Sequence, residues 1–388
     1  MTSLWSRFGL ALALAGLVHA GAAAIKPAAA AQTSRPAPAK PAQTKPVPAK
    51  PAPAKPSQAT AQQARPTSIL SVPAPAALRD RINTLGREFD GRVGIAVRSV
   101  DEGWSVGWKA DEFYPQQSVS KLWVAITALD AVDKGRVKLE DRVTLTKSDL
   151  TLFHQPIRSR ILGGGYTTSL AELMEKAITT SDNTANDKLM RSIGGPEAVR
   201  RMIAAKQLGS IRFYDGERAL QSKIAGLIWS QSYALGNAFY EARNALPMTL
   251  RRAAFNRYIE DPYDGAAPSA IVNALARLKR GELLSPSSTA RLLKVMANTK
   301  TGPNRLKGGL SPGWTLSHKT GTGQVLGAVQ AGYNDIGVLT APDGRSYAVA
   351  VMIKKTSAPL AARMALMNNV VRAVIRQHEA SRGTAYAL

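Results

Sequence analysis

The chain of 388 residues contains no cysteine and only four histidines: His19, His154, His318 and His378. Without cysteine there is no disulfide scaffold, zinc finger, iron–sulfur site or thiol nucleophile. A zinc hydrolase usually gathers two or three histidine ligands, whereas these four lie far apart in the sequence, so we expect no metal and no other cofactor. A serine–histidine–aspartate triad stays open. If the chain uses a nucleophile, we expect lysine or glutamate as its base.

Acidic residues are scarce as well: 27 Asp and Glu stand against 51 Lys and Arg, a net charge of +24. Residues 1–66 hold eight basic residues and no acidic one, which leaves 43 basic against 27 acidic, or +16, for the remainder. This excess favours an anionic environment, such as nucleic acid, an acidic membrane face or a cell-wall polymer. We expect no nucleic-acid partner, because neither a reading motif nor interleaved aromatics accompany the charge.

The first 70 residues predict export followed by a spacer. Residues 1–24 read as a signal peptide, with Arg7 before an apolar stretch (8–18) and small residues at a candidate cleavage site. An uncleaved anchor is the alternative. Residues 25–70 are rich in proline, alanine and lysine, which favours an extended, disordered linker. We expect a periplasmic protein whose basic linker is either simply solvated or in contact with the anionic cell envelope.

Residues 71–388 have the pattern of a globular catalytic domain. Strand signals occur near its start, at 92–110, and return after residue 312, while the pattern between them is mainly helical. The simplest packing joins the terminal strands in one antiparallel sheet flanked by helices. We therefore predict an α+β fold with an all-helical lobe at about 115–310.

Ser118 and Lys121 stand three residues apart, where a strand signal gives way to a helical pattern. Residues at this spacing share one helix face, so the Lys121 amine is predicted beside the Ser118 hydroxyl. An amine whose pKa is lowered by burial and neighbouring cations can take the serine proton. The spacing also arises by chance, but this chain contains the pattern only once.

Two further motifs carry suitable chemistry. After a helical run, Ser181 is suited to relay a proton, Asn183 to bind a substrate amide and Asp182 to hold the turn, although an ordinary polar turn is the alternative. Lys-Thr-Gly occurs twice, at 300–302 and 319–321. The first copy follows a helical pattern and precedes proline, so it predicts a helix end. The second lies in a strand, where a glycine permits close approach of a substrate, and we take it as functional.

Together the three motifs resemble those of class A β-lactamases, which are active-site-serine penicillin-recognising enzymes, over roughly residues 78–380. The resemblance implies the β-lactamase type of α/β sandwich. It also implies an exported serine hydrolase that opens the β-lactam amide through an acyl-serine intermediate. The expected substrate is a β-lactam or a peptidoglycan-like molecule, and we expect a monomer.

The resemblance also implies roles for individual residues. Ser118 matches the acylated nucleophile, Lys121 its proton acceptor and Ser181 the proton relay. The backbone N–H groups of Ser118 and Thr322 match the oxyanion hole. For Arg305 the alternative to a substrate-binding role is a solvated surface position, and for Phe153 it is a position in the core. The implied substrate-binding residues are Asn183, Lys319, Thr320, Gly321, Thr322, Arg305 and Phe153.

Glu217 lies 36 positions after Ser181 and matches the family's deacylating base, the glutamate that activates water. A surface glutamate is the alternative. Three departures surround it. Asp215 stands where the family usually has a bracing arginine, Gln221 replaces an asparagine that helps to hold the water, and Asp187 replaces an asparagine near the glutamate.

Residues 222–266 form an insertion that is too long to be a plain connection. Its sequence predicts an aromatic-rich helix at 224–246 and a basic helix at 248–260, as a brace for the lobe or as a lid over the substrate. The altered loop keeps a second function open, a D,D-peptidase or penicillin-binding protein that acts on peptidoglycan stem peptides. A third possibility is a non-catalytic envelope-binding protein.

Overall fold

The computed structural model describes residues 72–385. The predicted signal peptide (1–24) and the linker (25–70) lie outside the described residues. Within the described range, no helix combines the length and apolar character needed to cross a membrane.

The described residues form α-helices, strands and 3-10 turns in the following order. The helices are α1 (Ala76–Glu88), α2 (Lys121–Asp133), α3 (Arg158–Leu162), α4 (Leu170–Thr179), α5 (Asn183–Ser192), α6 (Gly195–Ala205), α7 (Glu217–Ile224), α8 (Ala238–Ala245), α9 (Met248–Glu260), α10 (Pro268–Lys279), α11 (Pro286–Ala297) and α12 (Leu360–Ala385). The strands are β1 (Arg92–Ser99), β2 (Ser105–Trp108), β3 (Tyr114–Pro115), β4 (Arg142–Leu145), β5 (Tyr166–Ser169), β6 (Gly265–Ala266), β7 (Thr315–Thr322), β8 (Val325–Leu326), β9 (Val329–Thr340) and β10 (Ser346–Thr356). The 3-10 turns are Gln117–Ser120, Lys147–Asp149, Gln231–Ala234 and Leu306–Gly309.

The main sheet has the strand order β2-β1-β10-β9-β7, and all neighbouring strands are antiparallel. Strands from the two ends of the globular region therefore meet in one sheet, which confirms the predicted α+β architecture. β7, which carries the second Lys-Thr-Gly motif, lies at one edge of the strand order. It contacts the 3-10 turn Gln117–Ser120, which carries Ser118. This contact brings the sheet and the helical lobe together at the candidate site.

Both faces of the sheet are covered, as the alternation of side chains along β10 shows. Val349 and Val351 pack into an apolar cluster with α1 and α12. Ala348 and Ala350 belong to a second cluster, which includes α10 and the helices of the lobe. Because successive strand residues point to opposite faces, β10 is buried on both sides and reads as a nearly continuous apolar run.

Helix α2 is the central helix of the lobe and contacts α4, α5, α6 and α11. Its residues 121–131 are all buried, so it is enclosed on every side and has no polar face. The only lysine among them, Lys121, is fully buried in the first turn. A buried lysine needs charged or hydrogen-bonding partners, which the neighbouring elements supply.

The structure corrects one part of the predicted insertion. The helix expected at 224–246 is confined to α8, while the segment before it is coil with one 3-10 turn. Gly226 and Gly236, with φ of 85° and 55°, adopt the left-handed region and interrupt the helix. The basic helix expected at 248–260 is confirmed as α9.

Candidate active site

Lys121 is the centre of the candidate site. Its Nζ atom donates hydrogen bonds to Ser118 Oγ at 2.6 Å and to Asn183 Oδ1 at 2.8 Å, and it contacts the Glu217 carboxylate. Ser118 lies in the 3-10 turn that leads directly into α2, so the spacing of three residues places its hydroxyl next to the amine as predicted. One buried cation thus joins three of the polar groups predicted from separate motifs.

The segment 181–183 joins α4 to α5 and is fixed by its middle residue. Asp182 Oδ1 accepts a hydrogen bond from the backbone of Ala185 at 2.8 Å, and its Oδ2 accepts one from the backbone of Ile157 at 2.8 Å. This confirms the prediction that Asp182 holds the turn. Burial raises the pKa of this carboxyl. Ser181 has a positive φ of 59°, an uncommon conformation for a serine that directs it away from the regular path of the helix.

The second Lys-Thr-Gly motif meets this turn across the cleft. Lys319 Nζ donates to Ser181 Oγ at 2.9 Å and to the backbone oxygen of Thr320 at 2.9 Å. Burial, together with the nearby charge of Lys121, lowers the pKa of Lys319 well below its usual value. The sheet therefore contributes one buried lysine to the site, and the lobe contributes a second buried lysine together with Ser118 and Ser181.

The structure requires glycine at position 321 for a different reason from the predicted one. A Cβ atom at this position would lie 2.3 Å from the backbone oxygen of Gln116, so the glycine is required by the close packing of β7 against the chain that precedes Ser118. The close approach that the structure shows is between two backbone segments.

Arg305 is buried, which excludes the alternative of a solvated surface arginine. Its Nη1 atom donates to the backbone oxygens of Gly321 and Asn334 at 3.0 and 2.7 Å, and its Nη2 donates to Thr322 Oγ1 at 2.6 Å. The guanidinium lies 3.8 Å from the centre of the Tyr333 ring. Arg305 therefore braces the end of β7 and adds a positive charge to the cleft wall.

Glu217 begins helix α7 and is buried, which excludes the alternative of a surface glutamate. Asp187 Oδ1 accepts a hydrogen bond from the Glu217 backbone at 2.9 Å, and Asp187 Oδ2 accepts one from the Arg218 backbone at 3.3 Å. An acidic group is favourable at a helix N-terminus, where backbone N–H groups lack partners. Burial and the adjacent Glu217 raise the pKa of Asp187.

The other two departures near Glu217 also have structural partners. Asp215 accepts a hydrogen bond from Arg200 Nη1 at 3.0 Å, so an arginine from α6 braces the loop. Gln221 Nε2 donates to Glu217 Oε2 at 3.2 Å and to Gln117 Oε1 at 3.0 Å. The altered residues thus form a different hydrogen-bonded arrangement around the same carboxylate.

A buried network connects the insertion to this arrangement. Tyr258, on α9, donates its hydroxyl proton to Asp264 Oδ1 at 3.0 Å and accepts a hydrogen bond from Gln117 Nε2 at 2.5 Å. Asp264 Oδ2 accepts one from the Gln117 backbone N–H at 2.7 Å. Gln117 precedes Ser118 and has a positive φ of 53°, so the network fixes an unfavourable conformation next to the candidate nucleophile.

The cleft in front of Ser118 has a volume of about 480 Å³. Asn183 and Ser181 line it from the lobe, Thr320 and Thr322 from β7, and the insertion contributes Tyr240 and Arg243. Phe153 also lines the cleft and is 40% exposed, so it is at the rim and not in the core. No group of three or more histidine, aspartate or glutamate side chains within residues 72–385 is arranged to hold a metal ion.

Comparison with known proteins decides the family. A model of the β-lactamase enzyme family matches residues 77–378. The chain belongs to this family. It is 26% identical to Beta-lactamase VEB-1 of Pseudomonas aeruginosa, a match that covers 71% of this chain and 82% of that protein. It is 28% identical to the Extended-spectrum beta-lactamase PER-1 of the same organism, over 72% of this chain and 80% of the relative.

Solved structures agree with this assignment. A β-lactamase from Chitinophaga pinensis matches with a TM-score of 0.63 and 27% identity, over 76% of this chain and 97% of its own. An ancestral class A β-lactamase matches with a TM-score of 0.62 and 30% identity, over 77% of this chain and 99% of its own. The predicted resemblance to class A β-lactamases is confirmed, and the protein is a serine hydrolase of that type.

Several residues of the candidate site were not predicted from the sequence. Thr301, in the Lys-Thr-Gly copy interpreted only as a helix end, lines the cleft, and its hydroxyl is 2.6 Å from that of Thr320. The duplicated motif was a signal that could have marked it. Gln324 Nε2 donates to Gln221 Oε1 at 3.0 Å and also lines the cleft. Tyr258 and Asp264 carry no motif, and only their position in the fold shows their connection to Gln117.

Proposed function

We propose that the chain is an exported β-lactamase that opens the β-lactam amide through an acyl-serine intermediate on Ser118. The observation that carries the proposal is the position of Lys121 Nζ, which contacts the Ser118 hydroxyl and the Glu217 carboxylate at once. These two groups are the candidates for the nucleophile and for the base that activates water. A single buried cation thus couples the two halves of the reaction.

Acylation begins when Lys121 passes a proton to the Glu217 carboxylate that contacts its Nζ atom and so becomes a free amine. Ser118 Oγ then attacks the lactam carbonyl carbon, and its proton passes to this amine. The carbon–nitrogen bond then breaks, and the ring nitrogen receives a proton through Ser181. Lys319 donates to Ser181 Oγ, so the hydroxyl proton of Ser181 is free to point toward the leaving nitrogen. Lys121 then passes a proton to Ser181 and recovers its first proton from Glu217, so Glu217 is a carboxylate again before deacylation.

Substrate binding uses the cationic and hydroxyl groups of β7. Lys319, Thr320 and Thr322 face the substrate carboxylate, and Asn183 binds the side-chain amide. Arg305 contributes charge and holds the Thr322 hydroxyl, because its Nη atoms already donate to protein oxygens. The backbone N–H groups of Ser118 and Thr322 stabilise the oxyanion that forms at the carbonyl.

Deacylation requires a base that takes a proton from water. Glu217 fills this role: water attacks the ester carbonyl, the bond to Ser118 Oγ breaks, and the proton returns to the serine. Asp187 and Gln221 hold the backbone and side chain of Glu217, respectively. General base catalysis depends on such positioning within hydrogen-bond reach.

Export, the remaining part of the proposal, rests on the sequence of residues 1–24 and on the linker that follows them. We expect a periplasmic monomer, with the basic linker at the envelope. Edman sequencing of the mature protein from a periplasmic fraction tests this part. A new N-terminus near residue 21 supports cleavage, whereas retention of Met1 in a membrane fraction contradicts it.

Catalysis is tested with the purified full chain, a chromogenic cephalosporin and the Ser118→Ala variant. We expect rapid hydrolysis by the wild type, no hydrolysis by the variant, and a short-lived mass increase on the wild type after mixing with a penicillin. A mass adduct that persists on the wild type without turnover would overturn the proposal and indicate a penicillin-binding peptidase.

A further inference from the structure

Helix α8 of the insertion forms part of the wall of the active-site cleft. Tyr240 and Arg243 line the same cavity as Ser118. Phe239, on the same helix, is buried and packs edge-on against Phe153 with ring centres 5.1 Å apart. This contact anchors α8 at the cleft and fixes the Tyr240 and Arg243 side chains in the wall.

Arg243 is a cation without a counter-charge among the residues that the structure describes. Its guanidinium lies 5.2 Å from the centre of the Tyr240 ring and 5.9 Å from that of Phe239. Within residues 72–385, no carboxylate forms an ion pair with Arg243, and its buried Nε atom has no hydrogen-bond partner. Because the guanidinium lines the cleft without a carboxylate partner among these residues, an anion bound at this wall would be stabilised by a charge-assisted contact.

The position of this wall indicates which part of a substrate it faces. Phe153 lies between Leu152 and His154, whose backbone oxygens accept hydrogen bonds from Asn183 Nδ2 and from the Asn183 backbone, each at 2.9 Å. The aromatic wall therefore adjoins Asn183. Lys319 and Arg305, in contrast, belong to β7 and the segment bonded to it. Arg243 thus lies on the side of the substrate amide and not with the cations that face the ring carboxylate.

From this arrangement we infer that Arg243, Phe153 and Tyr240 form a subsite for β-lactams whose acylamino side chain carries both an aromatic ring and a carboxylate. The inference rests on the proposed function and adds a substrate class to it. The ring of such a side chain packs against the aromatic residues. Its carboxylate pairs with the planar guanidinium, which offers two parallel donors.

Two penicillins test the inference, because carbenicillin differs from benzylpenicillin by one carboxylate on the same phenylacetyl side chain. The quantity to measure is the ratio of kcat/KM for carbenicillin to that for benzylpenicillin. We expect Arg243→Gln to lower this ratio about tenfold, as loss of a charge-assisted hydrogen bond predicts. General damage to the enzyme lowers kcat/KM for both penicillins and therefore cancels in the ratio. Arg243→Lys keeps the positive charge and should retain part of the wild-type ratio.

Arg257→Gln is the matched control, because it removes the same charge from an exposed position on the neighbouring helix α9. We expect this variant to keep the wild-type ratio. Raising the salt concentration should lower the ratio for the wild type more than for Arg243→Gln. Equal ratios in the wild type and Arg243→Gln would overturn the inference while hydrolysis of benzylpenicillin still supports the proposed function. Failure of the wild type to hydrolyse either penicillin would overturn both.

Discussion

The carboxylate of Asp264 binds the backbone N–H of Gln117, the residue that precedes the candidate nucleophile, at 2.7 Å. The two residues are 147 positions apart. The same carboxylate accepts a hydrogen bond from the Tyr258 hydroxyl. No ion pair to Asp264 is present in the part of the chain that the structure describes. The insertion therefore holds the residue before the candidate nucleophile by accepting hydrogen bonds from its neutral N–H groups.

Stability should depend on pH through Asp264. Burial raises the pKa of Asp264 from 3.8 to about 7, so the folded protein keeps a proton there that the unfolded chain loses near pH 4. Stability therefore falls as pH rises from about 4 to about 7. Asp264→Asn cannot ionise. Relative to wild type, its free energy of unfolding should rise between pH 5 and pH 8, by on the order of a few kcal/mol.

Urea unfolding at pH 5, 6, 7 and 8 measures this difference. Asp90→Asn, at an exposed position, is the control and should show no such trend. A constant difference between Asp264→Asn and the wild type over this range would mean that Asp264 does not titrate there in the folded protein.

Tyr258→Phe should weaken both stability and deacylation. The change removes the hydroxyl that joins Gln117 Nε2 to Asp264 Oδ1, and each unpartnered buried group costs about 1–3 kcal/mol. Gln117 also accepts from Gln221, which contacts Glu217, so a shift of Gln117 disturbs the base. We expect deacylation to slow about tenfold, with a smaller effect on acylation.

Stopped-flow measurement of the two steps separates these effects. Tyr263→Phe is a suitable control, because Tyr263 lies in the same insertion and its hydroxyl makes no side-chain hydrogen bond to the described residues. If both variants lose deacylation equally, the Tyr258 hydroxyl is not responsible.

Glu217→Gln should trap the acyl-enzyme. The amide keeps the size of the side chain but cannot accept the proton of water, so deacylation should fall by roughly 10²–10⁴-fold. Intact-mass measurement after mixing with a penicillin should show a lasting adduct on the variant and a transient one on the wild type. Glu260→Gln changes an exposed glutamate and should behave like the wild type. Turnover by Glu217→Gln at the wild-type rate would exclude Glu217 as the base.

Gly216→Ala should displace Glu217. Gly216 has φ of 90° and ψ of 178°, a region that is nearly restricted to glycine, and an added Cβ would lie 2.7 Å from Met190 Cε and 3.0 Å from Asp187 Oδ1. We expect a loss of about 1–3 kcal/mol in unfolding free energy together with slower deacylation. Gly236→Ala also has a positive φ but meets no atom within 4 Å, so it should cost less and leave deacylation intact. Equal losses in the two variants would contradict the role of the Asp187 contact.

Local spacing made much of the fold and site predictable. Three residues on one helical turn place Ser118 beside Lys121. Runs of strand-forming residues bounded by turn residues predict the strands, and their position at both ends of the globular region predicts the sheet. The interval from Ser181 to Glu217 placed the glutamate through family resemblance and not through physics.

What the sequence could not predict are contacts between distant segments. Tyr258 and Gln117 are 141 positions apart, and no periodicity relates them. In the sequence Arg243 is one basic residue among many, because only the fold shows that no acid within residues 72–385 pairs with it. The extent of α8 was overestimated, since the aromatic pattern outweighed Gly226 and Gly236 in the sequence.

Pro247 separates the two helices of the insertion, α8 and α9, which contact different parts of the site. α8 presents side chains to the cleft, whereas α9 buries Tyr258 against the chain that carries the nucleophile. We therefore expect mutations in α8 to alter which β-lactams are hydrolysed, and mutations in the buried face of α9 to weaken stability and deacylation. Under selection by antibiotics, resistance should broaden through substitutions in α8. Resistance to an inhibitor that depends on the arrangement held by α9 should arise less readily.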